Sequence, residues 1–249
     1  MKTHLLIRAA LVGGLFISAS NPAEAVTAVL TPTKDNTIFE NNGNSNGAGQ
    51  FIFAGTTSIA SGNSPRRALL AFDVAAAVPA GATIDSAILT LTVSRTISGD
   101  QSVSLHRLTV DWGEALSDAG GQEGGGTLAL AGDATWDDNM LGTSSWATAG
   151  GDFVGGASAT SLVGVEGTSP EWSGAGLVAD VQGWLDTPAQ NFGWIVIGNE
   201  GAQATAKQFN SREGTVSPSL EINFTPIPEP DSVMLLLLGI GVAIRRYRH

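Results

Sequence analysis

Apolar and polar positions alternate through the centre of the chain. Ala87, Leu89, Leu91 and Val93 fall on one side of an extended run, with Ile88, Thr90 and Thr92 on the other. A period of two with β-branched residues predicts a strand. Val103 and Leu105 repeat the alternation, and the apolar phase then moves to Leu108 and Val110, which predicts a β-bulge at His106-Arg107. Residues 67–74, 192–197 and 220–224 predict further strands. In the first of these, Leu69 and Ala71 oppose Leu70 and Phe72, so both faces are expected to be buried. The second is almost wholly apolar and is expected to be central in its sheet.

Segments 41–49 and 120–126 are rich in Gly and Asn and predict loops, because both residues tolerate positive φ. One stretch has a different period. Leu177, Val178, Val181, Trp184 and Leu185 share one helical face, and Pro188 stops the run. Many short strands, turn clusters between them and a single helix predict an all-β domain, a sandwich or barrel with the helix closing one end.

The two ends of the chain do not belong to that pattern. Residues 1–25 carry Lys2 and Arg8, an apolar run and then Ala23-Glu24-Ala25, the three parts of a secretion signal cleaved after Ala25. Residues 226–249 carry Pro228-Glu229-Pro230, an apolar run of about thirteen residues, and a basic end with Arg245, Arg246 and Arg248. A membrane span needs about 20 apolar residues, so this run is short for one. The combination resembles a PEP-CTERM sorting signal, the mark read by exosortase systems of Gram-negative bacteria. The resemblance implies cleavage near the Pro-Glu-Pro hinge and transient contact with the membrane, the exosortase and the secretion machinery. It also implies a final location on the cell envelope or in the extracellular matrix.

Between these segments, 26–225 is long enough for one domain with its own core. The chain has 32 Gly, 3 His and no Cys. Disulfides are thereby excluded, and so is a zinc site built from Cys and His. The formal net charge is -11, and the central segment holds seven bases against twenty acids. That balance repels nucleic acid and anionic membranes. It also disfavours a strongly anionic polysaccharide unless a local basic patch or an ion intervenes.

Several blocks then appear in order: RRALLAFDV and VPAGATIDSAILTLTV within 66–93, VSLHRLTVDWGE at 103–114, ATWDD at 134–138, SWATAGGDF at 145–153, LVADVQGWLDTPAQNFGWIVI at 177–197, and FNSREGTVSPSLEINF at 209–224. Together they resemble the DNRLRE domain, also called carbohydrate-binding module family 96 and related to disaggregatase repeats. The resemblance runs over about residues 29–224 and implies a jelly-roll-like β-sandwich that accompanies polysaccharide-active enzymes or sits on microbial surfaces. No catalytic module is attached to this one.

The candidate chemistry follows from residue types. Trp172, in SPEWSGAG, is expected in a loop and is the foremost candidate for stacking on a sugar ring, with Trp136 and Trp112 behind it. Trp184 and Trp194 are expected in the core. Asp35, Asn36 and Glu40, with Asp180, are candidate oxygen ligands for a structural Ca²⁺. His106 lies in a strand and lacks the nucleophile-and-base context of covalent catalysis. Asp111, Glu114, Asp137, Asp138 and Asp152 are the acids a polysaccharide-cleaving enzyme would draw on. The sequence reading is an exported, non-catalytic domain that binds or organises exopolysaccharide or another glycan. A purely structural matrix protein and a carboxylate-based glycan-cleaving enzyme are the alternatives.

Overall fold

The computed structural model describes residues 24–40 and 43–227. The leader up to residue 23, the Pro228-Glu229-Pro230 hinge, Arg245 and Arg246 lie outside the described residues. Ala25 is inside them, exposed and immediately before the first strand.

Two antiparallel sheets share one core. The smaller holds β1 (Val26–Leu30), β14 (Ser219–Thr225), β6 (Thr83–Thr90) and β11 (Glu171–Ser173), in that spatial order. The larger runs β10 (Ala159–Val163), β8 (Gln101–Arg107), β12 (Trp194–Ile197), β5 (Pro65–Ala71), β4 (Phe51–Thr56), β13 (Lys207–Asn210) and β7 (Val93–Thr96). β2 (Lys34–Phe39) also pairs with β5. A short ladder joins β3 (Asn44–Ser45) to β9 (Thr127–Leu128). Ile84, Leu89, Trp172, Leu220 and Ile222 of the small sheet meet Ile52, Leu70, Val103, Leu105 and Val196 of the large one in one buried cluster. The architecture is therefore β-rich and sandwich-like.

Two helices complete the fold where the sequence pattern predicted one. α1 (Val74–Ala77) is a single turn capped by Asp73, whose carboxylate accepts from the Ala76 N–H. α2 (Ala175–Asp186) buries Leu177, Val181, Trp184 and Leu185. The Trp184 and Trp194 rings meet at 4.5 Å between centroids. Gln182 ties the helix to the small sheet, accepting from Ile84 N and donating to Ala82 O. After Pro188 the chain turns through Gly193 at φ +78°, where an added Cβ would stand 2.0 Å from Leu70 O. Only glycine lets β12 enter beside β5 here.

The alternating run 87–93 is one pattern spread over two sheets. β6 ends at Thr90, and the chain crosses at Leu91-Thr92 into β7 of the large sheet, with Ala87, Leu89, Leu91 and Val93 all still in the shared core. The bulge expected at His106-Arg107 is absent. Residues 104–107 pair with 194–197 without a register shift. The apolar phase changes because β8 ends at Arg107 and Leu108 enters a second core.

That second core is built on the large sheet. Ile38, Leu69, Ala71 and Ile195 meet Leu108, Trp112, Ala134 and Trp146 from the long connection between β8 and β10. β5 is consequently buried on both faces, as its two-sided apolar pattern predicted. The connection has little regular structure, and acids hold its backbone. Asp133 accepts from Ala115 N at 2.7 Å and Leu130 N at 2.8 Å. Asp152 accepts from Ala147 N at 2.7 Å and Thr148 N at 2.9 Å. Glu123 instead fastens the connection to the chain before β4, accepting from Gln50 N, Phe51 N and Asn46 Nδ2. Such carboxylate–amide bonds supply the pairing that strands would otherwise give.

Candidate functional site

The aromatic candidates are not an exposed strip. Trp172 is not in a loop: it sits in β11, fully buried, with Nε1 donating to Val103 O at 2.8 Å and its ring edge-on to Phe209. Neither ring face can meet a sugar, because the two sheets close over it. Trp112 is also fully buried; Nε1 donates to Phe192 O, and Lys34 Nζ stands 4.4 Å over its ring. Trp136 is half-buried, and the Arg67 guanidinium stands 4.7 Å over its ring. Arg67 in turn makes a two-pronged ion pair with Glu200 at 2.7 and 2.8 Å and donates to Gly150 O.

The four proposed ion ligands do not converge. Asn36 Oδ1 accepts from Thr37 N, Ser45 Oγ and Asn46 N, so it organises a turn. The Glu40 backbone bonds Pro65 O and Ser64 Oγ at the edge of β2. Asp180 is occupied by Arg107, Trp194 Nε1 and Ser158 Oγ. Asp35 lies in a different group, with Glu114, Arg212 and Glu213. Its Oδ2 accepts from Arg212 N, and its Oδ1 is buried without a partner among the described residues. Among the described residues no three or more Asp, Glu, His or Cys groups are placed to hold a metal ion. Burial, with Glu213 and Glu114 nearby, pushes Asp35 up to about 8. Burial likewise pushes Glu114 up to about 7.

The acids considered for cleavage have structural partners. Asp111 pairs with Lys34 and accepts from Trp112 N. Glu114 accepts from Asp35 N and Arg212. Asp138 accepts from Ser145 Oγ, and Asp152 holds the 147–148 turn. The Asp137 side chain is exposed, and its carbonyl accepts from Trp146 N. His106 bonds Val154 O through Nδ1 at 2.9 Å and Ser104 Oγ through Nε2 at 3.0 Å, and packs edge-on to Phe153.

The most distinctive surface is one the residue types did not announce. An open groove of about 470 Å³ runs beside β4, β13 and β7. Phe53, Gln208 and Arg95 form one cross-strand row along it. Arg66 reaches it from β5, buried, with Nε donating to Gly124 O at 2.5 Å and Nη1 to Ser64 O at 2.8 Å. Its guanidinium lies 5.3 Å from the Phe39 ring, and burial lowers its pKa to about 10. Thr56 also lines the groove, 2 % exposed, with an Oγ1 that finds no partner among the described residues. Arg66 was visible in sequence only as half of an Arg-Arg pair, and Arg95 as one polar residue in a strand. What marks them is that no acid lines the groove among the described residues, which only the fold reveals.

No helix among the described residues is long and apolar enough to cross a membrane. Compared with protein-family models and with curated proteins, the chain shows no match.

Proposed function

We propose that this is an exported, non-catalytic domain that binds or organises polysaccharide at the cell envelope or in the extracellular matrix. The reading takes the sandwich to be of the jelly-roll, DNRLRE type, delivered by its secretion signal and sorted by its PEP-CTERM tail. The observation that supports it best is the groove beside β4, β13 and β7. Guanidinium, amide and hydroxyl groups line it together with the apolar Phe53 and Ile97. Sugar recognition needs that mixture: several directed hydrogen bonds beside apolar surface for the C–H faces. Several carboxylates of the long connection point the same way, since Asp111, Glu114, Asp133 and Asp152 are committed to backbone N–H groups or ion pairs.

The groove is shallow and open, so affinity per site is expected between about 1 μM and 1 mM. The test is titration of the isotope-labelled full-length chain with neutral and charged oligosaccharides, followed by amide NMR. Shifts clustering at Phe53, Arg95, Thr96 and Gln208 are the expected result. No shift with any glycan would leave a purely structural matrix role as the better reading. Product formation would replace binding by cleavage.

A further inference from the structure

The edge of a sheet leaves a row of backbone N–H and C=O groups without a strand to pair with, and natural proteins shield such rows. The two sheets end in β1, β11, β10 and β7. β10 and β11 lie against each other where the sheets meet. The start of α2 closes over the same place, where an added Cβ on Gly176 would stand 2.2 Å from Ser158 O. β7 is bridged by a loop, with Gly167 N donating to Val93 O and Val93 N to Thr168 O. β1 is different. It pairs with β14 over five residues without a register shift. On its other side its backbone makes no hydrogen bond among the described residues, and α1 approaches without bonding to it. Val26, Thr27 and Val29 are exposed. The usual shielding devices are missing as well. Residues 26–33 carry no charge, Pro32 falls after the strand, and no bulge bends it away.

Within 26–225 every residue but 41 and 42 is described, and the processing proposed above removes the leader and the tail. No other part of the mature domain is left to cover this row. We infer that β1 is the pairing edge for a second copy of this chain, joined antiparallel about a two-fold axis at Ala28. With the axis there all five residues pair: Val26 with the partner's Leu30, Thr27 with the partner's Val29, and Ala28 with its own counterpart. The two faces stay matched. Val26, Ala28 and Leu30 stand beside the core residues Phe224, Ile222 and Leu220, while Thr27 and Val29 stand beside Asn223 and Glu221 on the outer face. Inward positions therefore meet inward ones across the axis, and outward meet outward. Charge also selects this edge. Seven bases against twenty acids make two copies repel over most of their surface, and β1 is a strand with no charge at all. Glu221, beside Val29, would lie three strand spacings from the partner's Glu221, at least about 14 Å. That exceeds the screening length of about 8 Å at physiological salt. The small sheet would then run on through both copies, and the two-fold closes the assembly because each β1 edge is used once. Each dimer would carry two of the open grooves.

The inference is independent of glycan binding and rests on cleavage after Ala25, which terminal sequencing of the same sample reads separately. The processed extracellular protein is taken through sedimentation equilibrium from about 1 μM to about 1 mM. Five paired residues bury less than a standard interface, so a weak dimer is expected, half-formed within that range. Thr27→Lys with Val29→Lys sets like charges opposite each other in both outward pairs, and should weaken association at least about ten-fold. Those lysines also lower the domain's overall negative charge, so the loss reports the local contact. Thr27→Glu with Val29→Lys sets opposite charges in the same two pairs and should restore the dimer. All these substitutions are at exposed positions, so the two double variants should melt alike as monomers. In the wild type, alternate amides of β1, those turned away from β14, should exchange more slowly as concentration rises, while β10 is unaffected. A monomer throughout, or protection of every β1 amide already at the lowest concentration, overturns the inference. So does a dimer that survives the two lysines, or growth beyond two copies. An intact leader in the sample removes the premise and overturns it whatever the mass.

Discussion

The backbone N–H of Arg212 donates to Oδ2 of Asp35 at 2.7 Å, across 177 positions of sequence. Around that bond, Glu114 accepts from Asp35 N and from Arg212 Nη2, and Glu213 lies 2.7 Å from Arg212 Nε. The Arg212 guanidinium serves two carboxyls, Glu114 and Glu213, and its backbone N–H serves the third. The cluster ties β2 to the turn before β14 and to the long connection.

Stability should therefore depend on pH in an unusual direction. In the unfolded chain Asp35 and Glu114 titrate near 3.9 and 4.3. In the fold they titrate at about 8 and about 7, both chiefly through burial. Between those values the folded state keeps protons that the unfolded state has released, so their contribution falls as pH rises. Thermal melts should show this contribution declining from about pH 4 to about pH 8. Asp35→Asn should flatten the decline and raise the melting temperature at pH 8, by about 2–4 °C per kcal/mol recovered. An Asp35→Asn variant with the wild-type slope would show that Asp35 is ionised in the fold.

Trp172 should matter to stability and not to ligand binding. Its indole N–H satisfies Val103 O inside the core, and its ring packs on Phe209. Trp172→Phe keeps an aromatic ring and strands the carbonyl, at a cost of about 1–3 kcal/mol. Denaturant unfolding should register that loss while retention on a glycan matrix stays at the wild-type level. Loss of retention at full stability would return Trp172 to the binding surface.

The contrast between Trp172 and β5 shows what the sequence could and could not carry. For β5, two apolar faces on one strand are a local property, and both burial and centrality followed from it. The helix at 175–186 was legible for the same reason, from one apolar face and Pro188. Trp172 was misread because Ser, Pro and Gly flank it, and a three-residue strand held by β6 leaves no period to detect. Asp35, Asn36 and Glu40 of the β2 region were read as candidate ion ligands because their side chains carry oxygens. The burial of Asp35 depends on Arg212 and Glu114, far away in sequence. The groove was beyond reach for the same cause: charge pairing is a tertiary property, and seven bases in a list do not say which of them go without an ion pair.

Processing should leave a chain that begins at Val26 and ends near the Pro228-Glu229-Pro230 hinge. Ala25 is exposed directly before β1, so a peptidase would reach it without disturbing a sheet. Intact-mass measurement and terminal sequencing of the extracellular protein should find Val26 first and no peptide beyond about Pro230. Recovery of Arg248 and His249 in that material would exclude tail removal.

Arg67 should act as the clasp between the large sheet and the layer that covers it. Its guanidinium grips Glu200 on the side of β12, holds Gly150 O on the long connection, and lies 4.7 Å from the Trp136 ring and 5.6 Å from Phe153. Arg67→Met keeps the apolar stem but leaves Glu200 and Gly150 O without their donor. Both charged side chains are mostly buried, at 15 % and 22 % exposure, so the loss exceeds that of a surface pair. It should stay below that of a fully enclosed pair, at about 1–3 kcal/mol. Lysine should not rescue it, because a point charge can neither fork onto Glu200 nor stack on Trp136. The local readout is hydrogen exchange. Backbone amides of residues 147–153 should exchange faster in Arg67→Met, while those of β6 and β14, in the other sheet, keep their relative protection. Uniform acceleration across both sheets would mean that the contact stabilises the whole fold rather than fastening the loop layer to it.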